Sequence, residues 1–420
     1  MRKFILQIII TMISYSYSFA QLPTTDPIYT PVFTDDFNTT SINSAEWIPR
    51  YSWGTPFNTN NISGMTPCGG PNWDIPCLQM NLTANHNIIA NGSTCELIGI
   101  KENVMGDVWT YPSPCTSPAC SGGFCLDNAN PTTAPCLQIV QLPFKYSNGM
   151  LSTIKKFKYG YFEIKFKMNG LSANTTYNTY SPTFWLFNAD ANTPWSEIDI
   201  YEINAKNEIF TNNIHVNYPP INGAAVSDAQ FSTGANAINL SQWHTAAVNW
   251  TPDYIDFYLD NNFLRRSTLA YNQGLIEMPL IIENNFPMLN FCVGLDPVNT
   301  PFPITYEIDY VHVLQAKQEC STDKAYCNVT ETTFDSKLYK SLSIGGSGCS
   351  ANFNNGIVHA AGADFVLLDV GFEAGSNMEM LIDTQPCYNS TVQQRTQQEL
   401  IVPMPPNFQQ IYNSSRQSQH

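Results

Sequence analysis

Apolar and polar residues alternate with a period of two wherever the pattern is clear. Phe162, Ile164, Phe166 and Met168 alternate with Glu163, Lys165 and Lys167, as a strand with one buried face does. Ile255, Phe257 and Leu259 run into Asp260-Asn261-Asn262, and an apolar segment follows, which predicts a hairpin. Ile304, Tyr306, Ile308 and Tyr310 repeat the alternation. No amphipathic helical window longer than about a dozen residues competes with these strands. Short strands punctuated by Asn, Gly and Pro predict an all-β fold, a β-sandwich or barrel.

The pattern breaks in three places. Residues 67–136 carry seven of the 12 cysteines among Pro, Gly and Ser, and part of this stretch reads as a long, disulfide-pinned loop on the sandwich. Beyond Gln315 the strand signal stops, and residues 317–335 read as a linker clipped by Cys320 and Cys327. Short apolar pieces resume over 336–388, such as Phe365-Val366-Leu367-Leu368. They suffice for a small C-terminal β-module stapled by Cys349 and Cys387. Residues 389–420 are rich in Gln, Asn and Ser and read as a disordered tail. The main sandwich is thus expected over 21–316. Deleting 317–420 should then leave it active.

Composition narrows the setting. Residues 1–20 have the form of a signal peptide: Arg2-Lys3, an apolar run from Phe4 to Ile13, and Ser18-Phe19-Ala20 as a small-residue cleavage site. Gln7, Thr11 and Ser14 interrupt that run too often for a membrane span, and no later stretch is apolar enough for one. A secreted protein is expected. Its cysteines then read as disulfides rather than zinc ligands, because no Cys-x-x-Cys pair occurs. With 19 basic and 34 acidic residues the net charge is −15. Without a basic stripe, nucleic acid is excluded as a partner.

The sharpest chemical signal is Trp195-Ser196-Glu197-Ile198-Asp199-Ile200-Tyr201-Glu202. On a regular strand Glu197, Asp199 and Tyr201 share one face and Glu202 takes the other. One β-bulge between Asp199 and Glu202 adds a residue and returns Glu202 to the first face. Two carboxyls about 5–5.5 Å apart suit a retaining glycosidase, one as nucleophile and one as general acid. Spacing alone leaves two alternatives open: a solvated strand face, and a cation site of clustered carboxylates.

This segment resembles the active-site signature of family 16 glycoside hydrolases, Glu-(Ile/Leu/Val)-Asp-x-x-Glu, in its bulged form. Laminarinases, agarases and carrageenases of that family carry the bulge; lichenases and xyloglucan transglucosylases have one residue fewer. The resemblance extends in order over residues 32–314. It takes in Val32-Phe33-Thr34-Asp35-Asp36-Phe37, Lys158-Tyr159-Gly160-Tyr161-Phe162-Glu163 and Pro182-Thr183-Phe184-Trp185-Leu186. Trp243-His244-Thr245 with Val248-Asn249-Trp250-Thr251-Pro252, and Glu307-Ile308-Asp309-Tyr310-Val311, complete it. The resemblance implies a β-jelly roll with an endo-acting cleft. It implies Glu197 as nucleophile, Glu202 as acid/base and Asp199 as the residue that tunes them.

Further positions follow from the same resemblance. Trp185, Trp195 and Trp53 are implied as sugar-stacking side chains, and His215 as a residue that approaches the acid/base. Asp36 and Asp309 occupy the positions of a structural calcium on the convex face. No cofactor is implied for catalysis. Thr193-Pro194-Trp195-Ser196 departs from the Trp-Pro and Gly that laminarinases place before the signature, and the cysteine-rich insertion is a second departure; both lie where cleft walls are expected. Gly345 to Gly375 resembles small accessory repeats at the C-termini of secreted Bacteroidetes proteins. The expected function is a monomeric, secreted endo-β-glycosidase whose partner is a polysaccharide, β-1,3-glucan of laminarin type. The alternatives are a galactan hydrolase of agarase, porphyranase or carrageenase type and a non-catalytic carbohydrate-binding protein.

Overall fold

The computed structural model describes residues 22–49, 87–110, 138–173, 180–188, 195–204, 209–218, 238–267, 275–285 and 300–384. Short pieces are also described at 120–121, 124–125, 226–227, 231–232, 387 and 391–394. The expected signal peptide, Trp53 and most of the cysteine-rich stretch lie outside these residues.

In chain order the main strands of the sandwich are β1 Tyr29–Asp35, β2 Cys95–Thr110, β3 Met150–Lys158 and β4 Gly160–Asn169. There follow β5 Ser181–Asn188, β6 Trp195–Asn204, β7 Ile209–Tyr218 and β8 His244–Trp250. The last are β9 Ile255–Leu259, β10 Asn262–Ser267, β11 Met278–Asn285 and β12 Ile304–Ala316. One antiparallel sheet runs β10-β9-β8-β4-β12-β2, with β1 paired to β12. The other, the β6 sheet, runs β7-β6-β5-β11-β3. Among the described residues every element is a strand, and the two sheets make the expected jelly-roll sandwich. No helix among them is long and apolar enough to cross a membrane.

The alternation read from sequence builds the core. Phe162, Ile164, Phe166 and Met168 of β4 meet Phe184, Leu186, Ile198, Tyr201, Leu280 and Ile282 of the β6 sheet between the layers. The chain passes from β3 in one sheet to β4 in the other through Tyr159-Gly160, both at positive φ. A Cβ on Gly160 would stand 2.6 Å from the Leu314 carbonyl oxygen, so only glycine fits this crossing. Asp260 and Asn261, also at positive φ, make the β9–β10 hairpin turn, and Asn262 already begins β10. Tyr310 departs from expectation. The register shifts between Ile308 and Tyr310, so Val311 and Val313 take over the core face. Tyr310 points outward and donates its hydroxyl to Glu163 at 2.8 Å.

The insertion and the C-terminal region differ from the sequence reading. Part of the cysteine-rich stretch is a long ribbon, because β2 continues past the sheet to pair with Gln138–Ser147. Cys95, at its start, is a free thiol buried in the core, and its burial pushes the pKa up. The expected linker holds strand β13 Gln318–Tyr326. It pairs in parallel with β14 Leu338–Ile344, which also pairs in parallel with β15 Ala351–Gly362 and β16 Val366–Leu368; β17 Phe372–Asp383 joins β15. Among the described residues the disulfides are Cys320–Cys387 and Cys327–Cys349, each joining a cysteine of the expected linker to one of the module. Parallel pairing suits such links, since it stacks residues distant in sequence side by side.

Asp26, in the N-terminal segment, accepts a hydrogen bond from buried His359 of β15 at 2.8 Å. Ile28 packs with Leu338 and Ala361. Within the expected disordered tail, Thr391–Gln394 forms β18, antiparallel to β3. Deleting 317–420 therefore removes a strand from the β6 sheet along with the module.

Candidate active site

The β6 sheet carries the signature, and a bulge orders it. Between Asp199 and Glu202 the strand advances three residues while its neighbour β7 advances two, from Asn213 to Thr211. On the other side Trp185 pairs with Asp199 and Phe184 with Tyr201, so Ile200 is the extra residue. Ile200 and Tyr201 both enter the core, as consecutive residues of a bulge can. Tyr201 stacks on Phe166 at 4.6 Å and hydrogen-bonds Tyr306, both from the facing sheet. Burial, followed by the neighbouring Tyr306, pushes its hydroxyl pKa well up, so it serves as a neutral anchor beneath the bulge. Glu197, Asp199 and Glu202 thereby share the face opposite the core.

Cross-strand pairing lays out that face in three rungs. Glu197 lies between Phe187 of β5 and His215 of β7. Asp199 lies between Trp185 and Asn213, and beyond Trp185 comes Ile281 of β11. Glu202 lies between Thr183 and Thr211, and beyond Thr183 comes Glu283. The Thr211 hydroxyl donates to the Glu202 carbonyl at 2.8 Å, which secures the strand where the bulge ends. Glu197 and Asp199 are 1% exposed and Glu202 7%, so the acids are enclosed and weakly screened from one another.

His215 Nε2 lies 3.7 Å from Asp199 Oδ2. The imidazole therefore meets the middle carboxylate, whereas the sequence reading aimed it at Glu202; its rung is that of Glu197, four residues along β7 from Thr211. Glu197, Asp199 and His215 each offer a ligand atom within 4.8 Å of the others. That set offers the donor atoms of a divalent-cation site as well as groups that can move protons.

The other expected positions divide. Trp185 is on the carboxylate face, 5.0 Å ring to ring from Phe187, and neither belongs to the sandwich core. Trp195 begins β6 opposite Tyr218. Asp36 and Asp309, implied for calcium, each have a side-chain nitrogen partner in this structure. Asp36 Oδ1 is 2.7 Å from His312 Nε2, and Asp309 Oδ2 is 2.6 Å from Lys165 Nζ. Sequence reasoning missed Thr183 as a face residue, along with Phe187, Asn213, Ile281 and Glu283. The signal for Glu283 was a lone acid ending the apolar run Leu280-Ile281-Ile282.

Comparison with known proteins follows this geometry. Residues 126–286, which include β6, match the model of glycosyl hydrolases family 16. A beta-glucanase of Acetivibrio thermocellus is 29% identical over 170 residues, 40% of this chain and 46% of that protein. A kappa-carrageenase of Pseudoalteromonas carrageenovora is 25% identical over 200 residues, 41% of this chain and 48% of that protein. The chain thus spans less than half the length of these relatives. The laminarinase catalytic domain of Thermotoga petrophila is 16% identical with a TM-score of 0.44, covering 69% of this chain and 98% of that one. The chain carries a glycosyl hydrolase family 16 domain.

Proposed function

We propose that the chain is a secreted, endo-acting, retaining β-glycoside hydrolase, and that its substrate is a β-1,3-glucan of laminarin type. The observation that carries the reading is the Ile200 bulge, which brings Glu197, Asp199 and Glu202 onto one enclosed face. In the first step the Glu197 carboxylate attacks the anomeric carbon while Glu202 protonates the departing glycosidic oxygen. A glycosyl ester on Glu197 results. Glu202, now a carboxylate, takes a proton from water, which hydrolyses the ester and restores both acids. Asp199 stands between them along β6, 3.7 Å from His215 Nε2, where it orients its neighbours and sets their charge balance. Trp185, backed by the buried Phe187 ring, supplies an aromatic surface on the same face.

Galactan hydrolysis is the second reading, favoured by the resemblance to the kappa-carrageenase. The deciding experiment measures new reducing ends on laminarin, mixed-linkage glucan, agarose, porphyran and carrageenan. Release from laminarin, lost in Glu197→Gln and Glu202→Gln, supports the whole reading; general acid–base groups contribute about 10²–10⁴ in rate. Release from a galactan alone keeps the mechanism and overturns the substrate. Silence with retained glycan binding makes the protein a carbohydrate-binding one.

A further inference from the structure

Glu283 of β11 is a buried acid that the catalytic scheme leaves unused. It is 3% exposed and follows Ile282, whose side chain enters the core. Glu283 therefore belongs to the opposite face, that of the three signature acids. It pairs with Thr183, which pairs with Glu202, so one rung runs Glu202–Thr183–Glu283 across three adjacent strands. Neighbouring strands lie about 4.8 Å apart, which puts Glu283 roughly 10 Å from the Glu202 position. The Thr183 hydroxyl donates to Glu283 Oε1 at 3.4 Å.

The direction of a bound glycan follows from the signature. Glu197 and Glu202 lie along one strand, and a bond held between them crosses that strand. The sugars flanking it then run over the neighbouring strands, towards β7 on one side and towards β5 and β11 on the other. On the latter side they pass Trp185 and Ile281, which are apolar, and Thr183 and Glu283, which are polar. A carboxylate in such a place accepts hydrogen bonds and donates none when ionised, and hydrogen bonds to it are stronger than neutral ones. Sugar hydroxyls supply the donors. A sulfate ester or a uronate brings only acceptor oxygens and a second negative charge, weakly screened in an enclosed site.

We propose that Glu283 is a specificity-determining residue, which hydrogen-bonds hydroxyls of a neutral sugar over β5 and β11 and excludes sulfated or uronic sugars there. This rests on the glycosidase reading above and extends it to the class of glycan. The test uses the full chain, with kcat and KM measured on laminarin and agarose as neutral substrates and on porphyran and carrageenan as sulfated ones. Glu283→Gln should lower kcat/KM on the neutral substrate by about tenfold to a hundredfold, mainly through KM. It should lower the ratio of neutral to sulfated turnover as well, which a purely structural role would leave unchanged. Thr183→Val, which removes the hydroxyl donating to Glu283, should move the ratio the same way by less, and it decides the matter if Glu283→Gln does not fold. An unchanged ratio overturns the inference while the glycosidase reading stands, as does a parent that cleaves only the sulfated substrates. A parent that hydrolyses none of the four overturns both.

Discussion

Deleting Ile200 and deleting Ile198 each remove one buried isoleucine from the same strand, yet they should have opposite consequences for the site. Loss of a buried Ile side chain costs about 2–5 kcal/mol, and both variants bear a penalty of that order. Without Ile200 the bulge closes. Glu197, Asp199 and Glu202 then fall at alternate positions of a regular strand, still on one face, with Tyr201 still in the core. Without Ile198 the parity breaks. Whichever half of β6 keeps its register with β7, either Glu197 or Asp199 turns towards Phe184 and Ile214 in the core. An ion in that setting costs several kcal/mol more, against a total stability of about 5–15 kcal/mol for a typical domain. The first variant should fold and keep turnover within about a hundredfold of the parent, since a misplacement of about 1 Å costs that much. The second should unfold or be inactive. Denaturant midpoints by circular dichroism and reducing-end release on the parent's best polysaccharide measure both. A folded Ile200 deletion with no detectable activity, or an Ile198 deletion as active as it, would refute the parity argument.

Four further outcomes are expected. Azide should rescue Glu202→Ala on an activated aryl glycoside and give a β-configured azide product, because azide needs no proton from the missing acid; EDTA should leave the parent unaffected, and loss of activity on chelation would favour the cation reading of Glu197, Asp199 and His215. His244 has its pKa raised from 6.5, chiefly by its hydrogen bond to Asp260 and against burial. Burial acts to raise the Asp260 pKa, but the His244 and Thr245 hydrogen bonds outweigh it and bring it below 3.8. The His contribution is therefore full below about pH 6.5 and fades as pH rises through the raised value, while the Asp contribution fades as pH falls through the lowered one. His244→Gln should destabilise the protein more at about pH 5 than at about pH 9, an effect kept small by the exposure of Asp260; equal losses at both would contradict it. Cys320–Cys387 spans 67 residues, which the chain-entropy model equates to about 4 kcal/mol. Cys387→Ser should lower the thermal midpoint accordingly, and activity should be lost at the same temperature if β18 completes the sheet as β3 requires.

Local sequence revealed those parts of the fold where local rules decide the outcome. The alternation in β4 and the β9–β10 hairpin were legible because burial on one face forces a period of two, and Asp260-Asn261 tolerates positive φ. The module was harder to read. β13 runs Gln318, Glu319, Cys320, Ser321, Thr322 and Asp323 with no apolar alternation, since it is an outer strand half-exposed along its length. Its order comes from parallel pairing with β14, whose partner residues stand 18 to 20 positions away in sequence. The same stacking sets the disulfides, so no spacing of cysteines could have revealed them. Asp36 and Asp309 were legible as acids, but not their partners, which come from β12 and β4.

The site shows where a period-two reading stops and why. It failed at Tyr310 and would have failed at Glu202, and at both positions the structure holds a register shift. At Glu202 the failure could be foreseen, because three acids spaced for a bulge made the bulge part of the hypothesis. At Tyr310 nothing in the neighbouring residues announced one. A bulge is the least costly way to change which face a side chain takes, since one extra residue inverts the parity of all that follow. The Ile200 bulge serves the acids in this way. The shift at Asp309 sends Tyr310 outward to Glu163 and lets Val311 and Val313 resume the core. Glu283 lay beyond any such reading. Only the pairing of β5 with β6 and β11 brings a lone acid 81 residues downstream of Glu202 onto its rung, so placing Glu283 needs the sheet, while the spacing of the three signature acids needs only the strand.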